Sequence, residues 1–167
     1  VINHQPLSGA HGWSGEIGHI CVEPQGNVCS CGARGCLETI AGLKALCRAA
    51  GLEDESSARE LTQLAGHSAK AQDALANAGH ALGQALAGVV NTVDISQVYL
   101  GGLVAETALY LLPTLHEELE TRVLQAPWYA PAIDILPSSE DLSLRGGAFQ
   151  ILERILDDPI HWKDGAF

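Results

Sequence analysis

Basic side chains are scarce in this chain: nine Lys and Arg stand against twenty Asp and Glu, for a net charge of −11. Proteins grip a phosphate backbone with clustered cations that displace its counterions. The few cations here are scattered, which argues against DNA binding by this segment. No apolar run approaches the ~20 residues that a membrane helix needs, and no basic-then-apolar leader opens the chain, so a soluble, cytoplasmic protein is expected. Methionine is absent even at position 1. Val1-Ile2-Asn3 reads as the tail of a strand entering a turn, and more protein is expected upstream. Five cysteines cannot all pair internally. Three of them fall within eight residues beside a histidine, which reads as metal ligation in a reducing compartment more than as a disulfide framework.

What is present has the pattern of a layered α/β domain. Gly9, Gly12, Gly15 and Gly18 recur every third residue, as in a loop whose backbone passes close to something. Alternation over residues 17–23 predicts a strand, with His19, Cys21 and Glu23 on one side and Ile20 and Val22 on the other. A Pro24 to Asn27 turn and a compact loop follow. From about Leu37 the spacing turns helical, with Gly51 as cap. Ser57 and Glu60 form a capping-box pattern for a short helix. A long helix is predicted over 69–93, with Leu75, Leu82 and Leu86 on its apolar face. Gly79, Gly83 and Gly88 each weaken it by about 1 kcal/mol relative to Ala, which implies close packing. A strand over 98–100 ends in Gly101-Gly102. A helix over 107–124, a strand over 132–136 and a last helix over 144–156 complete the alternation.

The chemistry concentrates at His19, Cys29, Cys31 and Cys36. Structural zinc takes four such donors tetrahedrally. Cys29-Ser30-Cys31 places two thiols on one tight loop, Gly32 and Gly35 let the chain fold back so that Cys36 returns, and His19 on the preceding strand supplies the fourth ligand. The competing reading is of ordinary buried cysteines or a redox pair. Three cysteines with two glycines in eight residues are hard to explain that way. Cys21 and Cys47 sit in apolar patterns and read as buried structural thiols. Glu23 and the Glu53 to Glu55 cluster read as solvated surface.

Gly15-Glu16-Ile17-Gly18-His19 followed by Cys29-x-Cys31-Gly32-x-x-Gly35-Cys36-Leu37-Glu38 resembles the signature of the ROK family of sugar kinases and sugar-responsive repressors. Looser similarity runs through Asn91, Tyr99-Leu100-Gly101-Gly102 and Gly146-Gly147-Ala148. The resemblance implies an actin-like, ribonuclease-H-like fold of two α/β domains with a sugar in the cleft between them. This chain, 1–167, would be most of the second domain, truncated at its N-terminal side, with the first domain and any helix-turn-helix absent. It further implies that Glu16, His19 and Glu38 contact sugar hydroxyls and that His19 also ligates structural Zn²⁺. Those roles make chemical sense: a carboxylate accepts two vicinal hydroxyls, and an imidazole held at one nitrogen offers a fixed N–H at the other. As bare residues, Glu16 could be solubilising charge, and Glu38 a first-turn helix acid.

In the kinases of this family the aspartate base and the first phosphate loop lie in the first domain, and neither is present here. No catalytic residue is therefore assigned. Gly101 and Gly102 are the one nucleotide-site feature, and close helix packing would explain them equally. ATP and Mg²⁺ are expected only if the parent protein is a kinase. The Cys36-Leu37-Glu38-Thr39 run and the pattern from Arg145 to Pro159 look closer to the repressor branch, whose DNA contacts would lie in an upstream domain. A homodimer is also expected, from the resemblance and from small residues on the long helix: Ala76, Gly79, Gly83 and Ala87.

Overall fold

A computed structural model describes residues 6–7, 9–124, 131–137 and 141–159. The chain divides after Leu136 into two compact units. In the first unit a short 3-10 turn (Ile17–His19) leads into a loop. Helices α1 (Glu38–Ala41), α2 (Leu43–Ala50), α3 (Ala58–Ala65) and α4 (Ala69–Val93) follow, then strand β1 (Gln97–Leu100), helix α5 (Gly102–Arg122) and strand β2 (Ala132–Ile135). The second unit holds α6 (Leu142–Asp157).

The two strands pair in parallel, Gln97 opposite Ala132 through Leu100 opposite Ile135, and α5 is the crossover that a parallel pair requires. Ser57 caps α3 in a capping box: its hydroxyl accepts from the Glu60 N–H, and the Glu60 carboxylate accepts from the Ser57 N–H. Gly51 closes α2 in the left-handed conformation, φ 89°.

Helices α4 and α5 form the framework. Leu75, Leu111 and Leu115 are almost completely buried between and beneath them, with Leu46 and Leu61 brought in by α2 and α3. Truncating any of these leucines to Ala is expected to cost about 2–5 kcal/mol. The two long helices approach closely because Gly79 and Gly83 have no side chains. A Cβ at Gly79 would overlap the Thr114 hydroxyl and the Leu111 carbonyl, and one at Gly83 would press on the Glu118 side chain. Thr114 uses the same approach to donate to the Ala76 carbonyl at 2.8 Å. Gly79 and Gly83 are thus consumed inside the unit and Ala87 is buried, whereas Gly88 is exposed with nothing within 4 Å of its Cβ position, so close packing does not account for that glycine. Packing against α5 therefore accounts for Gly79 and Gly83 without a dimer interface.

Three further expectations change. Residues 17–23 are not a strand: the 3-10 turn is followed by isolated antiparallel bridges, Cys21 to Cys36 and Val28 to Arg34. The segment's partner is a loop that turns away at Gly35, so ladder bonds stop after Val22 and Glu23 both donate to the Gly35 carbonyl. The helix expected from Leu37 is broken at Gly42, whose extended ψ of 148° separates α1 from α2. Helix α5 begins five residues early, directly after Gly101. Among the described residues no helix is long and apolar enough to cross a membrane.

Candidate metal centre

The loop that carries the cysteines is built by backbone bonds. The Cys29 N–H donates to the Ala33 carbonyl at 2.7 Å, the Gly32 N–H to the Cys29 carbonyl at 3.0 Å, and the Gly35 N–H to the Asn27 carbonyl at 2.8 Å. A Cβ at Gly35, where φ is 72°, would overlap the Glu23 carbonyl, so only glycine permits this crossing. Arg34 fastens the far side by donating from Nη1 to the Gly26 carbonyl at 3.0 Å. Cys36 leaves the loop beside Cys21, and the Thr39 hydroxyl donates to its carbonyl at 2.7 Å.

This folding brings one donor atom each from His19, Cys29, Cys31 and Cys36 within 4.8 Å of one another. The Cys29 sulfur lies 3.6 Å from His19 Nδ1, and the Cys31 and Cys36 sulfurs are 3.7 Å apart. A tetrahedron with metal–sulfur bonds of about 2.3 Å and metal–nitrogen bonds of about 2.05 Å has edges of roughly 3.6–3.8 Å. The two distances match those edges. They are also far longer than the ~2.05 Å of a disulfide, and all five cysteines are free thiols. The donor set can therefore hold a metal ion. Cys29 and Cys36 are buried, whereas His19 and Cys31 open to solvent.

The thiols are unequal. The Cys31 backbone N–H, against the effect of burial and with help from the Cys31, His19 and Cys36 side chains, holds the Cys29 thiol down at about 6. Burial pushes Cys36 up to about 12, reinforced by hydrogen bonding and charge from Cys31 and Cys29. The cluster is thus biased toward a thiolate at Cys29 and a retained proton at Cys36, and a cation bound by all three sulfurs would release protons.

Glu16 and His19 bracket the 3-10 turn, with the His19 N–H donating to the Glu16 carbonyl at 3.1 Å. Glu38 opens α1 and returns to that turn. Its carboxylate lies between two glycines: a Cβ on Gly18 would stand 3.4 Å from Oε2, and one on Gly42 would stand 2.5 Å from Oε1. Gly18 and Gly42 thus make the space that Glu38 occupies. Gly18 stands in the motif and Gly42 does not; Gly42 is the i+4 neighbour of Glu38, whereas nothing in the sequence spacing links Gly18 to it. A cavity of about 760 Å³ adjoins the loop, walled in part by Cys29, Ser30, Glu38, Thr39, Lys44 and Asn77; Glu16 and His19 are not in its wall.

The remaining assignments separate. Cys47 is buried as expected, and its thiol is pushed up by that burial and by Asp54 and Glu60. Cys21 is exposed, contrary to its apolar pattern, because the segment that carries it is a surface crossing rather than a strand. Glu23 is exposed. Asp54, between Glu53 and Glu55, is paired with Arg48. Gly101 and Gly102 sit at the β1–α5 junction, away from the donor cluster in the chain. No atom lies within 4 Å of where a Gly102 Cβ would stand, so close packing does not explain it; its φ of 55° does.

The chain matches the ROK family over residues 1–155. It is 30% identical to the xylose repressor of Bacillus spizizenii over 161 residues, 94% of this chain and 41% of that protein. It is 29% identical to the N-acetylmannosamine kinase of Haemophilus influenzae over 163 residues, 95% of this chain and 52% of the kinase. The chain thus spans about half the length of the curated relatives it matches. The crystal structure of a ROK hexokinase from Thermus thermophilus superposes with a TM-score of 0.70 at 31% identity, covering 89% of this chain and 51% of that one. The architecture is the actin-like, ribonuclease-H-like α/β fold, and the chain belongs to the ROK family.

Proposed function

We propose that this chain is the sugar-sensing domain of a cytoplasmic ROK-type transcriptional regulator and binds a monosaccharide effector beside a structural zinc ion. The observation that carries the reading is the return of Glu38 to Gly18, which sets its carboxylate against the turn bearing Glu16 and His19. His19, Cys29, Cys31 and Cys36 would hold the zinc, which cross-links loop to turn. His19 presents Nδ1 to the Cys29 thiol, so Nε2 remains to donate to a hydroxyl. The two carboxylates accept from vicinal hydroxyls in charge-assisted bonds.

The regulator is favoured over a kinase by the Cys36-Leu37-Glu38-Thr39 run and the closing pattern from Arg145 to Pro159. The kinase is the second reading, because relatives of both kinds match this chain at nearly equal identity. Elemental analysis and calorimetric titration with D-xylose, D-glucose and N-acetylmannosamine test the site. About one zinc per chain and saturable binding of one sugar, weakened in Glu38→Gln with zinc retained, are expected. Zinc-free protein whose stability ignores chelators would sink the metal assignment. ATP-dependent phosphorylation of a sugar by this chain alone would overturn the reading that the aspartate base lies in another domain, since without that base neither a regulator nor a kinase parent gives this chain phosphotransferase activity.

A further inference from the structure

We infer that Trp13 is the apolar wall of the sugar site and stacks its indole on the ring of the bound monosaccharide; this rests on the sugar-binding reading above. Trp13 is the only Trp, Tyr or Phe among the first 98 residues. It is 79% exposed, although tryptophan is on average a well-buried side chain. It precedes Glu16 by three residues, and three residues span at most about 10 Å even when fully extended. The actual separation is shorter, because the chain turns at Gly15 with φ 91° and the Ile17 N–H closes on the Gly15 carbonyl at 2.7 Å. The loop also folds on itself before Trp13: a Cβ on Gly9 would stand 3.1 Å from Ser14 Cβ. The indole is therefore carried on a compact turn within side-chain reach of a ring held by Glu16.

A pyranose has two chemistries. Its rim of hydroxyls takes carboxylates and imidazoles, while its C–H face is apolar and slightly positive, which suits the negative face of an aromatic ring. Glu16, His19 and Glu38 supply only the first. Small-molecule sites pair a few polar groups with apolar surface, and Trp13 is the aromatic side chain on the segment that carries Glu16 and His19.

Tryptophan emission and calorimetry on the zinc-loaded chain, titrated separately with D-xylose, D-glucose and N-acetylmannosamine, test the assignment. Sugar should shift the emission of the wild type and leave that of Trp13→Phe unchanged. Trp13→Phe should keep most of the affinity, while Trp13→Ala should lose about tenfold, the scale of an aromatic contact, with zinc content unchanged. Wild-type affinity in Trp13→Ala alongside weakened binding in Glu38→Gln overturns the stacking role and leaves the sugar site standing. Loss of zinc together with affinity in Trp13→Ala makes the residue structural and also overturns it. A wild type that binds none of the three sugars removes the sugar-binding reading and this one together.

Discussion

One helix contains two glycines whose replacement by alanine should have opposite effects. At Gly88 of α4 nothing lies within 4 Å of the added Cβ, so Gly88→Ala gains the helix propensity that glycine forfeits, about 1 kcal/mol. At Gly79 the same gain meets the Thr114 hydroxyl and the backbone carbonyl of Leu111. The hydroxyl can rotate away only by giving up its 2.8 Å bond to Ala76, and the carbonyl belongs to the partner helix and can move only with it. Overpacking of this kind costs about 1–3 kcal/mol, and the lost hydrogen bond about 1 kcal/mol more. Gly79→Ala should therefore destabilise by about 1–3 kcal/mol after its propensity gain. In a domain of this size 1 kcal/mol moves Tm by roughly 2–4 °C, so the two variants should bracket the wild type by several degrees in a thermal scan of zinc-loaded protein. Equal shifts of the same sign would refute the packing account of α4 on α5. A Gly88→Ala variant that destabilises would indicate that something covers that face in solution.

Three other outcomes are expected. Cys31→Ser should lower zinc content well below one per chain, and hydrogen exchange should loosen residues 19–38 while α4 and α5 stay protected. In Glu118, burial raises the carboxyl but the hydrogen bonds from Arg122 and His80 outweigh it and hold it below the ordinary carboxylate range. That stabilisation is present above the unfolded value near 4.3 and is lost as pH falls through the lower folded value, so Glu118→Gln should cost about 1 kcal/mol at pH 7. The difference from wild type should shrink below about pH 4, and a pH-independent difference contradicts the ion-pair account. Sedimentation over a dilution series tests the homodimer that the family resemblance implies, and a monomer mass unchanged up to tens of micromolar removes it.

The readability of this chain followed the range of the interactions. Helix α4 could be read to its ends because its apolar spacing is local; the structure adds a Ser68 cap whose side chain accepts from the Ala71 N–H. The gathering of His19, Cys29, Cys31 and Cys36 could be read because three of the four are close in sequence and joined by glycines. What could not be read depends on distant partners. The extended segment around Cys21 looks like a strand in isolation, but a strand needs a neighbour of equal length, and its neighbour is a loop that ends at Gly35. The destination of the α4 glycines was equally hidden. Small residues signal close approach, and only the 38-residue separation from Ala76 to Thr114 shows that the approach is made by α5. Gly42 illustrates the same limit, since the break between α1 and α2 and the space for Glu38 follow from one residue whose neighbours in sequence predict continuous helix.

The metal loop differs from the rest of the first unit in what holds it. Over residues 9–37 the regular structure is one three-residue turn and two isolated bridges, and the buried apolar side chains are Cys29, Cys36 and Leu37. Two of those three are candidate metal donors, and the other apolar contributions, Ile17, Ile20 and Val22, are only partly buried against the core. If a metal ion fixes His19 and the loop, it also fixes the turn bearing Glu16 and the surface on which Glu38 rests. A metal that raises sugar affinity by some factor must itself be bound more tightly by that factor when sugar is present, because the two free energies are linked. With a coupling of about 1–3 kcal/mol, typical of linked sites, a chelator should need roughly 5–150-fold higher free concentration to strip zinc from sugar-saturated protein. Competition with a zinc chelator, with and without saturating sugar, measures this directly. Identical stripping curves would show that the metal and the carboxylates act independently, and that Gly18 is a point of contact without being a point of coupling.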